Sequence, residues 1–278
     1  MSHFLILSVF CSGAILGSFL NVLVLRLGTG VSYLSGRSKC PSCGSTLSFL
    51  ELIPIFSYLI QRGRCHSCSV RISPQYIVVE TLMGILVLGS FFFAGALDLV
   101  SPGTFIRALF YSALCFLALG IAVYDIRHKI IPDLLLYIFL FLSFLVPVST
   151  FLSGGLGLPE LGLALVTGPL LFMPFFLIWY FSDGRLMGLG DGFLSIGTGW
   201  LLGPSLSVSA VIFGIWFGAI WGVTWILLGR VYTFLGLSSF RETLTMKSEV
   251  PLAPFLLLGL IFVAVSGVNL FYAPFPNF

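Results

Sequence analysis

Residues 104–133 read TFIRALFYSALCFLALGIAVYDIRHKIIPD. The stretch 104–123 carries a single charge, Arg107, close to its start. At 1.5 Å per residue it would form a helix of about 30 Å, the thickness of the hydrocarbon core of a bilayer. Polar groups then arrive together, as Tyr124-Asp125 followed by Arg127, His128 and Lys129. A run of this kind predicts a transmembrane helix whose far end meets a membrane surface. Similar runs recur from end to end of the chain.

Composition points the same way. Of the 278 residues, 58% are hydrophobic and 8% charged. Soluble domains carry about a quarter charged residues, so this chain cannot cover itself with a water-facing surface. The expected fold is an all-α polytopic membrane protein with about eight transmembrane helices, over residues 4–25, 76–97, 104–123, 131–151, 161–181, 192–203, 206–228 and 252–272. The sixth run is shorter than the ~20 residues a spanning helix needs, unless residues before Gly192 extend it. Gly154-Gly155, Pro159 and Pro204 punctuate short connections. The first run lacks a basic segment before it and exceeds a signal-peptide core in length, so it reads as a retained span.

Charge placement orients these spans. With the amino terminus outside, the inner side receives Arg26, Arg37, Lys39, Arg62, Arg64, Arg71, Arg127, Lys129, Arg185, Arg230, Arg241 and Lys247. Only Arg107 falls near the outer side. Positive residues collect on the cytoplasmic side of membrane proteins, and one span too many or too few would spoil the bias.

The sizeable polar piece, residues 27–75, then faces the cytoplasm. It holds Cys40-Pro-Ser-Cys43 and Cys65-His-Ser-Cys68. Two such knuckles bring four thiolates to tetrahedral spacing, which suits structural zinc and leaves no open coordination position. Disulfides are disfavoured in a reducing compartment. His66 reads as a loop residue, and Cys11 and Cys115 as small apolar side chains within spans. In the seventh span Gly214, Gly218 and Gly222 repeat every four residues, a stripe that fits close helix packing.

Asp125, Asp133, Asp183, Asp191 and Glu249 all fall at inner ends of spans, and Glu80 lies just inside the second. Ionisable groups at membrane depth are expensive and become functional candidates by default. Asp191 stands in Gly188-Leu189-Gly190-Asp191-Gly192 with no basic residue within five positions, whereas Asp183 has Arg185 beside it. Asp133 opens a helix, where an acid complements the dipole. Paired carboxylates can divide acid–base work, one activating water while the other, protonated, polarises a carbonyl.

These residues carry a resemblance. The chain is similar to the prepilin peptidases, the bifunctional type IV leader peptidase and N-methyltransferase family, along nearly its full length. The shared elements are Gly17-Ser18-Phe19-Leu20-Asn21-Val22 with Arg26, and both cysteine pairs with Arg62-Gly63-Arg64-Cys65. They continue with Ile72-Ser73, Tyr76, Glu80, Asp125 with Ile131-Pro132-Asp133, and Gly188-Leu189-Gly190-Asp191. The last are Glu249-Val250-Pro251 and Pro254-Phe255.

The resemblance implies that Asp125 and Asp191 are the catalytic pair, cutting prepilin and pseudopilin precursors at the cytoplasmic face after a glycine in a short basic leader. It also implies S-adenosylmethionine-dependent methylation of the new amino terminus by the portion 1–100, with the peptidase in 101–278. Cys40, Cys43, Cys65 and Cys68 would be the metal ligands. No soluble-type glycine-rich nucleotide fingerprint is present, and the residues of the methyl-donor site stay unassigned. Partners are the precursor proteins and the lipid bilayer, with no nucleic acid. One position departs from the family: the lysine usual two residues after the second aspartate is Phe193 here.

Two other readings stay open. A presenilin-like or signal-peptide-peptidase-like protease shares the Tyr-Asp and Gly-x-Gly-Asp elements but not the paired cysteines. A non-enzymatic assembly protein with a zinc-ribbon docking surface would use the cysteines and not the acids. The spacing of Asp125 and Asp191 discriminates between them. A transporter is disfavoured because the acids gather at one face rather than at the bilayer midplane.

Overall fold

A computed structural model of the chain describes residues 2–97, 101–234 and 251–270. It is all-helical, with no named strand among the described residues. Helix α1 is Ser2–Arg26, α2 Phe56–Ile60, α3 Gln75–Phe93, α4 Pro102–His128, α5 Asp133–Leu152, α6 Leu158–Phe181, α7 Leu189–Phe234 and α8 Ala253–Ser266. A single 3-10 turn, Leu50–Leu52, precedes α2. Helices α1, α3, α4, α5, α6 and α7 are long and apolar enough to cross a bilayer, and α8 is apolar but only 14 residues long.

The helix ends follow local chemistry. α3 stops earlier than the expected 97 because Gly95 takes φ 68° and the Ala96 N–H returns to the Phe91 carbonyl at 2.9 Å. That left-handed residue closes the helix, as glycine commonly does. α4 runs one turn beyond 123, so Asp125 lies inside a helix rather than at its end. Lys129, at φ 56°, terminates it. α6 starts before 161 because Pro159 suits a first turn, and the Glu160 carboxylate accepts the Gly157 N–H at 2.8 Å.

The sixth and seventh expected spans form one continuous element, α7, of 46 residues. A straight helix of that length would extend about 70 Å, over twice the hydrocarbon thickness. The element is broken at Gly203, with φ 68° and ψ −178°. That conformation is essentially glycine's alone, and Pro204 follows, pre-set to begin the next helix. The expected loop is therefore a one-residue break, and the shortness of the run 192–203 disappears because its helix starts at Leu189. Leaving out the short α2 and counting both halves of α7, eight apolar helical segments stand among the described residues where eight were expected.

The chain divides into two compact units, Met1–Val123 and Tyr124–Phe278. In the first, α1 and α3 pack backbone to backbone. A Cβ on Gly13 would lie 2.8 Å from the Gly84 Cα, and one on Gly17 would lie 2.7 Å from the Glu80 Cα. Val9, Met83, Val87, Phe91 and Ala108 form the core there.

In the second unit, α6 and α7 meet at Gly168 and Gly199, where a Cβ on Gly199 would lie 2.7 Å from the Gly168 Cα. α7 and α8 meet at Gly214 and Gly259, where a Cβ on Gly259 would strike the Ala210 carbonyl oxygen. The expected glycine stripe holds at Gly214 and Gly218, which face Leu256 and Phe255. A Cβ on Gly222 would meet nothing within 4 Å among the described residues. Gly259→Ala should therefore force α8 away from α7 and lower stability by about 1–3 kcal/mol. Gly222→Ala should leave thermal unfolding in detergent unchanged or slightly raised. Equal melting of the two variants would refute this account of the contact.

Candidate functional site

The second unit brings Asp125 and Asp191 together. Asp125 stands in the last turns of α4 and is 4% exposed. Its neighbour Tyr124 is also buried and lies against His128 one turn on, with ring centroids 4.4 Å apart. The Asp125 carboxylate accepts a hydrogen bond from the backbone N–H of Ala253, the first residue of α8. Its Oδ2 is buried with no hydrogen-bond partner among the described residues. A buried carboxylate oxygen without a partner costs free energy, and such exceptions concentrate where a reacting molecule supplies the missing contact.

Asp191 is the third residue of α7 and is half-buried. It lies close enough to Asp125 to interact with it electrostatically. The flanking glycines serve packing. A Cβ on Gly190 would sit 3.0 Å from the Ile131 Cδ1, and one on Gly192 would sit 2.9 Å from the Phe172 Cδ2. They let the first turn of α7 seat against Ile131 and α6, which fixes where Asp191 projects. Asp133 opens α5, where it complements the helix dipole. Asp183 takes a left-handed turn conformation, φ 51°, just after α6. Glu249, Arg241 and Lys247 lie outside the described residues.

Phe193 occupies the position where the family resemblance leads one to expect a lysine. Its ring packs on Phe172 at 5.1 Å, and Phe172 packs on Phe176 at 5.7 Å, which in turn meets Trp179 and Tyr180. An aromatic row thus begins at Phe193, two residues after Asp191, in place of a cation.

The cysteine loop belongs to the first unit. The Sγ atoms of Cys40, Cys43, Cys65 and Cys68 all lie within 4.8 Å of one another, so the group could hold a metal ion. Cys40 and Cys68 are 3.9 Å apart. Tetrahedral zinc with Zn–S near 2.3 Å requires sulfurs about 3.8 Å apart, so the donor set fits. His66 is exposed and outside the four-sulfur group.

The two knuckles share one construction. Lys39 bridges Thr46 as Arg64 bridges Arg71. The Cys40 N–H reaches the Ser45 carbonyl and the Cys65 N–H that of Val70, each at 2.9 Å. Gly44 and Ser69 take the same left-handed position, at φ 71° and 57°. The Ser45 hydroxyl and backbone bring the Cys43 thiol down to about 6, so this ligand is readily ionised.

One feature was not anticipated from sequence. The Ala253 N–H on Asp125 comes from a backbone, which leaves no residue signature; only the prolines around it, Pro251 and Pro254, marked the segment. Glu80, a candidate on the sequence alone, acquires a defined setting. It is buried in α3, accepts the Ile55 N–H at 2.7 Å and bonds the Ser18 side chain. Nearby, the Asn21 carboxamide donates to the Tyr76 carbonyl and accepts from the Gln75 side chain, each at 3.3 Å.

Comparison with known proteins places the chain in a family. Residues 11–93 match the bacterial peptidase A24 N-terminal domain, and residues 109–223 match the type IV leader peptidase family. A prepilin leader peptidase/N-methyltransferase of Bacillus subtilis is 32% identical over 263 residues, covering 93% of both chains. One from Myxococcus xanthus is 31% identical over 79% of this chain and 62% of its own length. One from Vibrio cholerae is 29% identical over 68% of this chain and 74% of its own. No solved structure matches the chain. The chain belongs to the type IV leader peptidase family.

Proposed function

We propose that this protein cleaves the leaders of type IV prepilin-like precursors at the cytoplasmic face of the inner membrane, using Asp125 and Asp191 as the catalytic pair. The observation that carries the reading is the pairing of the two acids in one unit, with Asp125 Oδ2 unpartnered among the described residues. One carboxylate takes a proton from water as its oxygen adds to the scissile carbonyl, while the other, protonated, hydrogen-bonds the carbonyl oxygen. The tetrahedral intermediate then collapses, the C–N bond breaks, and a carboxyl proton goes to the departing amine. The Ala253 N–H holds one Asp125 oxygen, leaving the other free to act. The orientation rests on the inner-side excess of Lys and Arg.

The portion 1–100 supplies the second activity, methylation of the new amino terminus. S-adenosylmethionine, when bound, supplies an electrophilic methyl group to the freed amine. Zinc held by Cys40, Cys43, Cys65 and Cys68 is structural, since four sulfur ligands fill its coordination. The peptidase belongs to the portion 101–278. One experiment tests both halves: purified protein is incubated with a prepilin and S-adenosylmethionine, and the product's amino-terminal mass is determined. The expected product has lost its leader and gained one methylene. An uncut precursor would refute the peptidase, and a cut but unmethylated product would remove the methyltransferase.

A further inference from the structure

Between α1 and α3 the chain exposes large apolar side chains outside any spanning helix. Phe49, Leu50, Phe56, Leu59 and Ile60 are 81%, 72%, 61%, 57% and 79% exposed. Phe56, Leu59 and Ile60 share one face of α2, at the i, i+3, i+4 spacing. In a water-filled loop such a cluster would be a liability.

The segment is not out in water. The Ile55 N–H is bonded to the Glu80 carboxylate, and Glu80 lies more than a turn inside α3, about 7 Å along the axis from Gln75. Helical side chains lean back toward the amino terminus, which moves that carboxylate outward by a few ångströms. Ile55 is therefore level with the first turns of a spanning helix. The bond is made at a cost. Ile55 takes φ 65° and ψ −55° at the centre of a tight turn, with the Phe56 N–H on the Pro54 carbonyl at 2.6 Å. A β-branched residue there is strained, and such strain persists only where the surroundings enforce it. The turn draws the segment down against the α1–α3 pair.

Immediately after this segment, Arg62, Arg64 and Arg71 line a cavity of about 530 Å³ together with Tyr58 and Ser73. No carboxylate lines it, and none of the three arginines is ion-paired among the described residues. Guanidinium groups bind phosphate oxygens bidentately, and basic clusters beside interfacial apolar residues attract anionic lipid. A basic leader peptide would be repelled by such a cavity. An apolar face at interfacial depth next to an unpaired basic cavity matches a lipid with its headgroup in the cavity and its chains beside α2.

From this we infer that residues 49–60 lie in the headgroup layer of the bilayer and that the Arg62–Arg64–Arg71 cavity holds the phosphate of an anionic phospholipid. The cysteine loop is thereby anchored flat against the membrane, independently of the peptidase pair.

Native mass spectrometry of the purified full-length protein tests the site, with phosphatidylglycerol and phosphatidylcholine as probes. Phosphatidylglycerol should be retained in preference. R71Q should weaken its retention about fivefold and R62Q/R64Q/R71Q together roughly a hundredfold, at about one kilocalorie per arginine. A photoreactive benzoylphenylalanine replacing Leu59 should form lipid adducts in vesicles containing phosphatidylglycerol. Equal retention of the two lipids would overturn the site. So would displacement of phosphatidylglycerol by equimolar inorganic phosphate, which would assign the cavity to a free anion, or by S-adenosylmethionine, which would assign it to the methyl donor. Adducts confined to protein would overturn the interfacial placement. If the triple variant loses its knuckle metal and misfolds, R71Q and the photoreactive probe still decide.

Discussion

Asp191→Asn should abolish leader cleavage, with a loss of at least about a thousandfold in kcat and little change in thermal stability. The amide keeps the shape of the side chain but neither ionises nor releases a proton, so the division of labour between the carboxylates is lost. Asp125→Asn should be as damaging, and the double variant no worse than either single one, because residues that act as a unit are not additive. Methylation of a precut peptide should survive in all three. The check is single-turnover cleavage of a purified prepilin, followed by mass. Retained cleavage in Asp191→Asn would end the assignment of this pair.

The second large effect concerns the cysteine loop. Its 3-10 turn and α2 bury no residues, so the fold between α1 and α3 rests on little apolar packing. Structural zinc contributes about 10–16 kcal/mol of apparent binding free energy in small zinc-finger peptides, where binding and folding are one event. Replacing Cys40 and Cys43 by Ser should therefore release the metal completely and open residues 27–74 to protease. Elemental analysis of the purified protein and limited proteolysis provide the measurement. Wild-type protein that carries no metal and resists protease as the variant does would refute the site.

Much of this was written in the sequence. Eight apolar segments are legible because a bilayer imposes one length and one polarity on every span. The four-sulfur group is legible because Cys-x-x-Cys spacing alone brings ligands together within a knuckle. The span map put Asp125 and Asp191 at inner ends together with Asp133, Asp183 and Glu249, and only local sequence and the family resemblance singled out the pair. The Tyr-Asp and Gly-x-Gly-Asp elements alone also fit a presenilin-like protease, and family membership decides against that reading.

What sequence hid has physical reasons. Gly203-Pro204 reads as a loop, yet one glycine at positive φ accomplishes the whole break. The glycines beside Asp191 make room for Ile131 and Phe172, packing that the motif alone does not disclose. Ile55 is a residue type that argues against positive φ, so no pattern could place a strained turn there; only the Glu80 bond reveals it.

The hydrogen bond from Ala253 to Asp125 also bears on the order of synthesis. Both aspartates leave the ribosome well before α8, which carries the donor. Until α8 enters the membrane beside α7, Asp125 lacks a contact that fixes its carboxylate. A nascent or truncated chain ending before residue 253 would hold both acids without the contact that distinguishes one Asp125 oxygen from the other, so α8 completes the proposed site only after both acids are in place.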